Sequence, residues 1–354
     1  MDWLHWAFYT VVISLSVPVM VMFFIWLERR GIGRFQIRQG PNRAGPLGLL
    51  QPVADAIKLF TKEDVVPAAA DHWVHFLAPL VVFAPAMLVF AVIPFQEGRG
   101  LVPDLNIGIL YIVAVSSIGT VGVFMAGWGS NNKYALIAAF RTMAQVVSYE
   151  IPLALSILGV VLGAGTLSMM GIVKAQQVPF ALLQPLGFLV FFIAATAELN
   201  RTPFDLVEAD SEMVSGYHIE YSGMKFGIFL LGEYVYALGM SAIAATLFLG
   251  GWKGPWGIGS EVGVLWLLGK VLLVFIALMW LRATFPRVRV DQLMGFAWKY
   301  LLPLSLINIF LVAAESLTWQ GLPWWLLFPN AIIALTLVML WSGLFKLGGG
   351  RVQV

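Results

Sequence analysis

Apolar residues in this chain come in long unbroken runs, not in alternation. The runs lie near 8–28, 76–95, 107–127, 150–170, 181–199, 227–250, 264–284, 300–316 and 325–345. A helix needs about 20 apolar residues to cross a hydrocarbon core. None of the runs shows a two-residue period, so the pattern predicts transmembrane helices and excludes a barrel. The eighth is interrupted by Pro303, Asn308 and Glu315. The fold class expected is all-α, a polytopic membrane protein of about nine spans. Little sequence remains outside the runs, so residues 1–354 are expected to form a single integral membrane domain. The first run is not expected to be a cleaved signal peptide. It lacks a basic leader and ends in Glu28-Arg29-Arg30 rather than in small residues.

The segment after the first run has another period. In residues 49–62, Leu49, Leu50, Val53, Ile57 and Phe60 share one face, while Gln51, Asp55, Lys58 and Lys62 point away. This predicts an amphipathic helix, either lying in the membrane interface or packing between spans. Gly-rich GPNRAGPLG before it, and SGYHIEYSG at 215–223, predict fixed turns.

Composition agrees, with 60% hydrophobic and 11% charged residues and a mean hydropathy of +0.87. The absence of cysteine excludes disulfides and any iron–sulfur cluster ligated by this chain. The four histidines fall outside the apolar runs, which argues against a haem held between spans. A net charge of +2 argues against a nucleic-acid partner, and no phosphate-binding glycine motif is present. The chain is expected to carry no redox centre or metal of its own.

The few charges are strongly ordered. Seventeen Lys and Arg fall in the odd-numbered loops and the C-terminal tail, against Arg99, Lys174 and Lys253 in the even loops and Lys270 within a span. The positive-inside rule then puts the odd loops in the cytoplasm and the N-terminus outside. Against that frame Glu28 closes span 1, Glu150 opens span 4 with Pro152 in its first turn, Glu198 closes span 5 and Arg282 closes span 7. Glu233 lies six residues, roughly 9 Å, into span 6. Charges from five spans are thus expected in the cytoplasmic third of the membrane. A charge at that depth must be paired, hydrated or neutralised. An ion pair or a snorkelling position at the interface is favoured for Glu28 and Arg282. A hydrated interior path is favoured for Glu233, which has no basic residue three or four positions away. Glu315 and Lys270 rank lower.

Loop 5 adds a dense acidic stretch. Thr202-Pro203 followed by Asp205 has the form of a helix start, and Asp205, Glu208 and Glu212 fall on one face of the helix it would open. Such crowding calls for protonation or for partners among the arginines of loop 1 or loop 7. Two function classes fit these residues. A secondary transporter would show internal repeats and charged, broken helices near the midplane. A subunit of a redox-driven proton machine would gather acids toward one side beneath a charged docking surface. The second fits somewhat better.

Longer motifs sharpen this. RQGPNRAGPLGLLQPVADAIKLFTKED at 38–64, GWGSNNKYALIAAFRTMAQVVSYE at 127–150, AELNRTPFDLVEADSEMVSGYHIEYSG at 197–223 and RATFPRVRVDQLM at 282–294 closely resemble the H subunits of the bacterial NADH–quinone oxidoreductases, respiratory complex I. Mitochondria have a counterpart, NADH dehydrogenase subunit 1. The resemblance covers almost the whole chain. It implies a membrane subunit that forms a quinone chamber with hydrophilic subunits and couples quinone reduction to proton translocation. Ubiquinone or menaquinone would be the substrate; NADH, FMN and iron–sulfur clusters would belong to partner subunits. Smaller membrane subunits and lipid would be its other neighbours, in the cell inner membrane. By motif, Glu28, Arg29, Arg30, Arg38, Asp55 and Arg282 would line the chamber, and Glu150, Glu198, Glu208, Asp210, Glu212, Glu220 and Glu233 would carry protons. Ser117 stands where some relatives carry Glu. Subunits of ferredoxin-linked or hydrogenase-type complexes, or an independent cation or proton transporter, are the alternatives.

Overall fold

The computed structural model describes residues 2–96, 104–205, 216–254, 262–319 and 322–344, with side chains from residue 10 to 341. Among these the chain is helical. In order the helices are α1 (Asp2–Phe35), α2 (Gln51–Thr61), α3 (His72–Leu88), α4 (Gly108–Gly129), α5 (Lys133–Ala164), α6 (Met169–Ala175), α7 (Phe180–Leu183) and α8 (Pro185–Glu198). They continue with α9 (Gly223–Phe248), α10 (Gly263–Thr284), α11 (Val290–Phe296), α12 (Leu302–Thr318) and α13 (Leu327–Leu344). Eight of the helical segments are long and apolar enough to cross a membrane, and the remaining run, the fifth, is the shorter α8. At 14 residues, α8 is roughly 21 Å long. A break at Gln184 separates it from α7, and Pro185 supplies its first turn.

The bundle is organised around α9, the most enclosed of the long segments. Its stretch Gly239–Ser241–Ala242–Ala244–Ala245 is almost wholly buried, because small side chains let neighbouring backbones approach. Phe191 of α8, Phe229 and Phe248 of α9, Phe275 of α10 and Tyr149 of α5 fill the spaces between. The closest approach of α3 and α4 falls at Gly122, where a Cβ would meet the Val82 backbone nitrogen at 2.8 Å. Outward-facing apolar side chains such as Leu15, Phe310 and Phe328 are more than half exposed, as a lipid-facing surface requires.

Two helices differ from the sequence expectation. Glu150 does not open its helix, nor does Pro152 lie in a first turn: α5 starts at Lys133 and runs unbroken for 32 residues. Gly129–Asn132 makes a tight turn, Asn131 takes φ 49°, and the Asn132 side chain caps Tyr134 N. The segment 133–149 holds four Ala together with Lys133, Leu136, Arg141, Met143 and Gln145, all good helix formers, and no Gly or Pro, so the helix extends through what reads as a loop. Glu150 thus sits opposite Ser117, near the middle of α4. The eighth span, interrupted in sequence, is continuous from Val290 to Thr318. A π-turn at Ala297–Leu301 precedes Pro303 and absorbs its missing N–H.

The amphipathic helix forms as α2. Leu49, Leu50, Val53, Ile57 and Phe60 are all exposed, so among the described residues this apolar face is left largely uncovered. The turn before it is fixed: Gly45 and Gly48 take φ 73° and 76°, and a Cβ on Gly48 would fall 2.1 Å from the Pro41 carbonyl oxygen.

Candidate functional site

Glu198 ends α8, and its position is set by Gln145 of α5, whose side-chain amide donates to the carbonyls of Ala197 (2.8 Å) and Phe204 (3.0 Å). Both bonds are buried, so α8 and the first residues of loop 5 are tied to α5. Beyond the helix, Asn200 turns the chain at φ 49° and Arg201–Asp205 form a turn. Asp205 is buried and accepts from Arg287 of loop 7 at 3.2 Å, the partner that its crowded sequence called for. Residues 202–205, expected to open a helix, form part of this turn, and the rest of the expected acidic helix, with Glu208, Asp210 and Glu212, lies outside the described residues.

This arrangement opens a cavity of about 80 Å³ among α3, α4, α5, α8 and α9, lined by Ser116, Thr120, Glu198, Asn200, Glu233 and Tyr236, with Tyr217 from the following loop. The Tyr236 hydroxyl donates to Glu198 at 2.5 Å and also meets Ser116. The Tyr217 hydroxyl lies 3.4 Å from Glu233. Glu150 flanks the cavity: the Ser117 hydroxyl donates to it, and it is within electrostatic reach of Glu198. Two carboxylates, from α8 and α9, therefore line one small space, and a third, from α5, stands beside it. Glu233 is ten residues into α9, roughly 15 Å rather than 9 Å, because the helix begins at Gly223. Glu220 is not brought to this cavity. It accepts from Asn132 at 2.7 Å, at the turn between α4 and α5.

A second constellation lies beside it. Glu28 is 1% exposed, and its two carboxylate oxygens are taken by Arg201 (2.6 Å) and Arg282. Arg201 is itself buried, stands 4.4 Å over the Tyr234 ring, and feels the charge of Glu233. It joins the ion cluster to the acid cavity. Sequence reasoning singles out Glu28 and Arg282 without naming their partners, and passes over Arg201 as one more loop cation. Its neighbours Glu198 and Pro203, hemmed against the end of a span, are the available signal.

The remaining predicted residues form separate groups. Arg29 pairs with Asp55, fastening α2 to α1, and Asp55 also accepts from Gln51 at 3.1 Å. Arg30 and Arg38 line an open cavity of about 580 Å³ with Arg34, Gly40, Asn42 and Leu47. Arg30 donates to the Leu47 carbonyl at 2.8 Å. The six residues named for a chamber thus divide between a buried ion cluster, a surface pair and this cavity.

His75 and His72 begin α3 rather than lying outside a span, and His75 is fully buried, stacked 4.0 Å from the Tyr221 ring. In the same loop as Tyr221, His218 packs against Tyr217 and Phe226. Burial pushes the His218 pKa down to about 4, whereas a free imidazole titrates near 6.5. The undocked loop therefore binds more protons between those values, and acid favours it. Protection of the 216–221 amides against hydrogen exchange is expected to be constant above about pH 6.5 and to fall steadily toward pH 4. Unchanged protection factors across that window would show that His218 does not titrate with docking.

Helices long enough to span, lipid-facing apolar surfaces and charges gathered inside define the class: a polytopic membrane protein with a buried network of titratable groups. A family model described as NADH dehydrogenase matches residues 8–313. The chain is 60% identical over 353 residues to the H subunit of the NADH-quinone oxidoreductase of Dehalococcoides mccartyi (strain CBDB1), covering 99% of each chain. It is 53% identical over 299 residues to the protein of that name from Geobacillus kaustophilus, covering 84% of this chain and 90% of the relative. An H subunit from Syntrophobacter fumaroxidans is 47% identical over 334 residues, covering 90% of this chain and 99% of the relative. The chain belongs to this NADH dehydrogenase family, among the H subunits of the NADH-quinone oxidoreductases.

Proposed function

We propose that this chain is the subunit of a proton-pumping NADH–quinone oxidoreductase that couples quinone reduction to proton movement, as one integral membrane domain. The observation that carries this reading is the linkage of two charge clusters through Arg201. On one side stands the Glu28–Arg282 pair, on the other the cavity with Glu198 and Glu233 and, behind Ser117, Glu150. In a site of low polarity, charge changes at one end are felt at the other because screening is weak.

In this reading the odd-numbered loops face the cytoplasm and dock the hydrophilic subunits, following the charge bias. NADH, FMN and the iron–sulfur clusters belong to those partners, and the electrons arrive from them. Arg29, Arg30, Arg38 and Asp55 shape the part of the quinone chamber open to the partner surface; Glu28 and Arg282 form its charged floor. The apolar face of α2 supports an entrance from lipid, because it is exposed along its length. When the quinone headgroup is reduced and takes up protons, the field on the Glu28–Arg201–Arg282 cluster changes. Arg201 passes that change to Glu233, and Glu198, Glu150 and their hydroxyl partners redistribute protons. Glu208, Asp210 and Glu212 continue the acidic path from loop 5, with Glu220 at its outer edge. Neighbouring membrane subunits then move the protons. Ser117 carries no charge, but its bond to Glu150 keeps a hydrogen-bonded link where some relatives carry an acid.

Photolabelling tests the quinone part. In the assembled complex, an azido-quinone is expected to cross-link within residues 28–55, and excess native quinone should suppress this at least tenfold. Labelling confined to the opposite, even-numbered loops would overturn the reading.

A further inference from the structure

At the opposite end of the bundle from the acid cavity, near the even-numbered loops, α5, α8, α12 and α13 enclose another polar space. Its volume is about 20 Å³, enough for one water molecule by the usual measure of ~10–15 Å³. Gln184, Asn308, Glu315 and Asn330 line it among apolar residues. Glu315 is its only titratable group among the described residues. Asn308 lies ten residues, roughly 15 Å, in from the end of α12, and Glu315 only three, roughly 4.5 Å. The polar groups therefore run from near the even-loop face toward the middle of the bundle.

The hydrogen-bond accounting of this space is incomplete without a further molecule. Asn308 is 3% exposed and Gln184 2%, yet the Asn308 Nδ2 donor and the Gln184 Oε1 acceptor have no partner among the described residues. A buried polar atom left in that state is destabilising. The two atoms converge beside Gly159 of α5. A Cβ there would stand 2.8 Å from Nδ2 and 3.4 Å from Oε1. Gly187 of α8 keeps the other side open, since its Cβ would lie 2.9 Å from the same Nδ2. One water molecule can accept from Asn308 and donate to Gln184, in a space whose wall also carries Glu315. The remaining wall is supplied by α13: the Asn330 side-chain amide donates to Glu315 at 3.2 Å and to the Leu183 carbonyl at 2.8 Å.

We propose that this pocket is a second intramembrane protonation site, in which the Glu315 carboxyl shares the space with a water bound between the Gln184 and Asn308 amides, with the C-terminal helix as its lid. Its ligands are water and a proton, exchanged with the even-loop face. The amide donor turned into the space disfavours a metal cation, which would require oxygens on every side. The site goes beyond the coupling role above and stands without it, since it shares no residue with the Glu150–Glu198–Glu233 cavity.

The intact complex provides the test, by hydrogen–deuterium infrared difference spectroscopy and by a high-resolution cryo-EM map. A carboxyl band that exchanges and titrates is expected, lost in Glu315→Gln and retained in Glu150→Gln. The unmutated complex should show water density between Asn308 and Gln184, and Gly159→Ala should remove that density and shift the band. A spectrum unchanged in Glu315→Gln would overturn the proposal. So would direct bonding of the two amides with no density between them, or a band that follows sodium concentration rather than pH. The map needs no variant, so a failure of Glu315→Gln to assemble does not spare the proposal.

Discussion

Arg201→Met is expected to destabilise the assembled protein by roughly 3–5 kcal/mol, the usual cost of removing one partner from a buried ion pair. Glu28 is almost fully enclosed and would retain only the more exposed Arg282 as its ion-pair partner among the described residues. Loss should appear as reduced yield of the complex and a lower midpoint in thermal unfolding. A double variant distinguishes the charge effect from lost packing. Glu28→Gln with Arg201→Gln removes the buried charges together, leaves Arg282 able to reach solvent, and should be milder than Arg201→Met alone. A double variant at least as damaging would mean that the guanidinium acts through its packing on Tyr234 rather than through Glu28.

Glu150→Gln and Glu233→Gln should behave in the opposite way, with assembly intact and function impaired. Each replacement keeps the shape of the side chain and can still accept from Ser117 or Tyr217, but it cannot hold or release a proton. Proton pumping coupled to NADH oxidation is expected to fall at least about tenfold in each, the equivalent of about 1.4 kcal/mol in an elementary step. Quinone reduction in uncoupled membranes should fall less. Tyr236→Phe should resemble a weaker form of the same defect, because Glu198 would keep its place but lose its donor. Normal pumping in both glutamine variants would remove these acids from the proton path.

Residues at these positions differ in how visible they are along the chain. Glu233 stands out because an acid within a long apolar run has no local partner. Glu28 and Arg282 stand out because each closes a span, and the structure joins them. The buried middle of α5 shows why position is harder to judge than identity. Residues 133–149 carry Lys, Arg, Gln and Ser, so hydropathy alone reads them as a loop, whereas their helix propensity and the Asn132 cap continue the helix. Hydropathy consequently misplaces the depth of Glu150. Arg201 is hidden for a related reason. A guanidinium after a span looks solvated until the chain turns at Asn200 and folds it back beneath α9.

Hydropathy, charge bias and long motifs by themselves determined the membrane class, the helical fold and the family, and singled out the acids proposed to carry protons. These follow from local free energies: transfer of an apolar segment, the cost of a charge at depth, the preferences of a turn. Only the tertiary structure decided which groups meet: Glu28 with Arg201 and Arg282, Glu150 with Ser117, Glu198 with Tyr236, and Glu315 with Asn330. Those pairings join residues up to 254 positions apart. They depend on helix register and crossing, which are set by the summed packing of small residues along α9 and not by any local pattern.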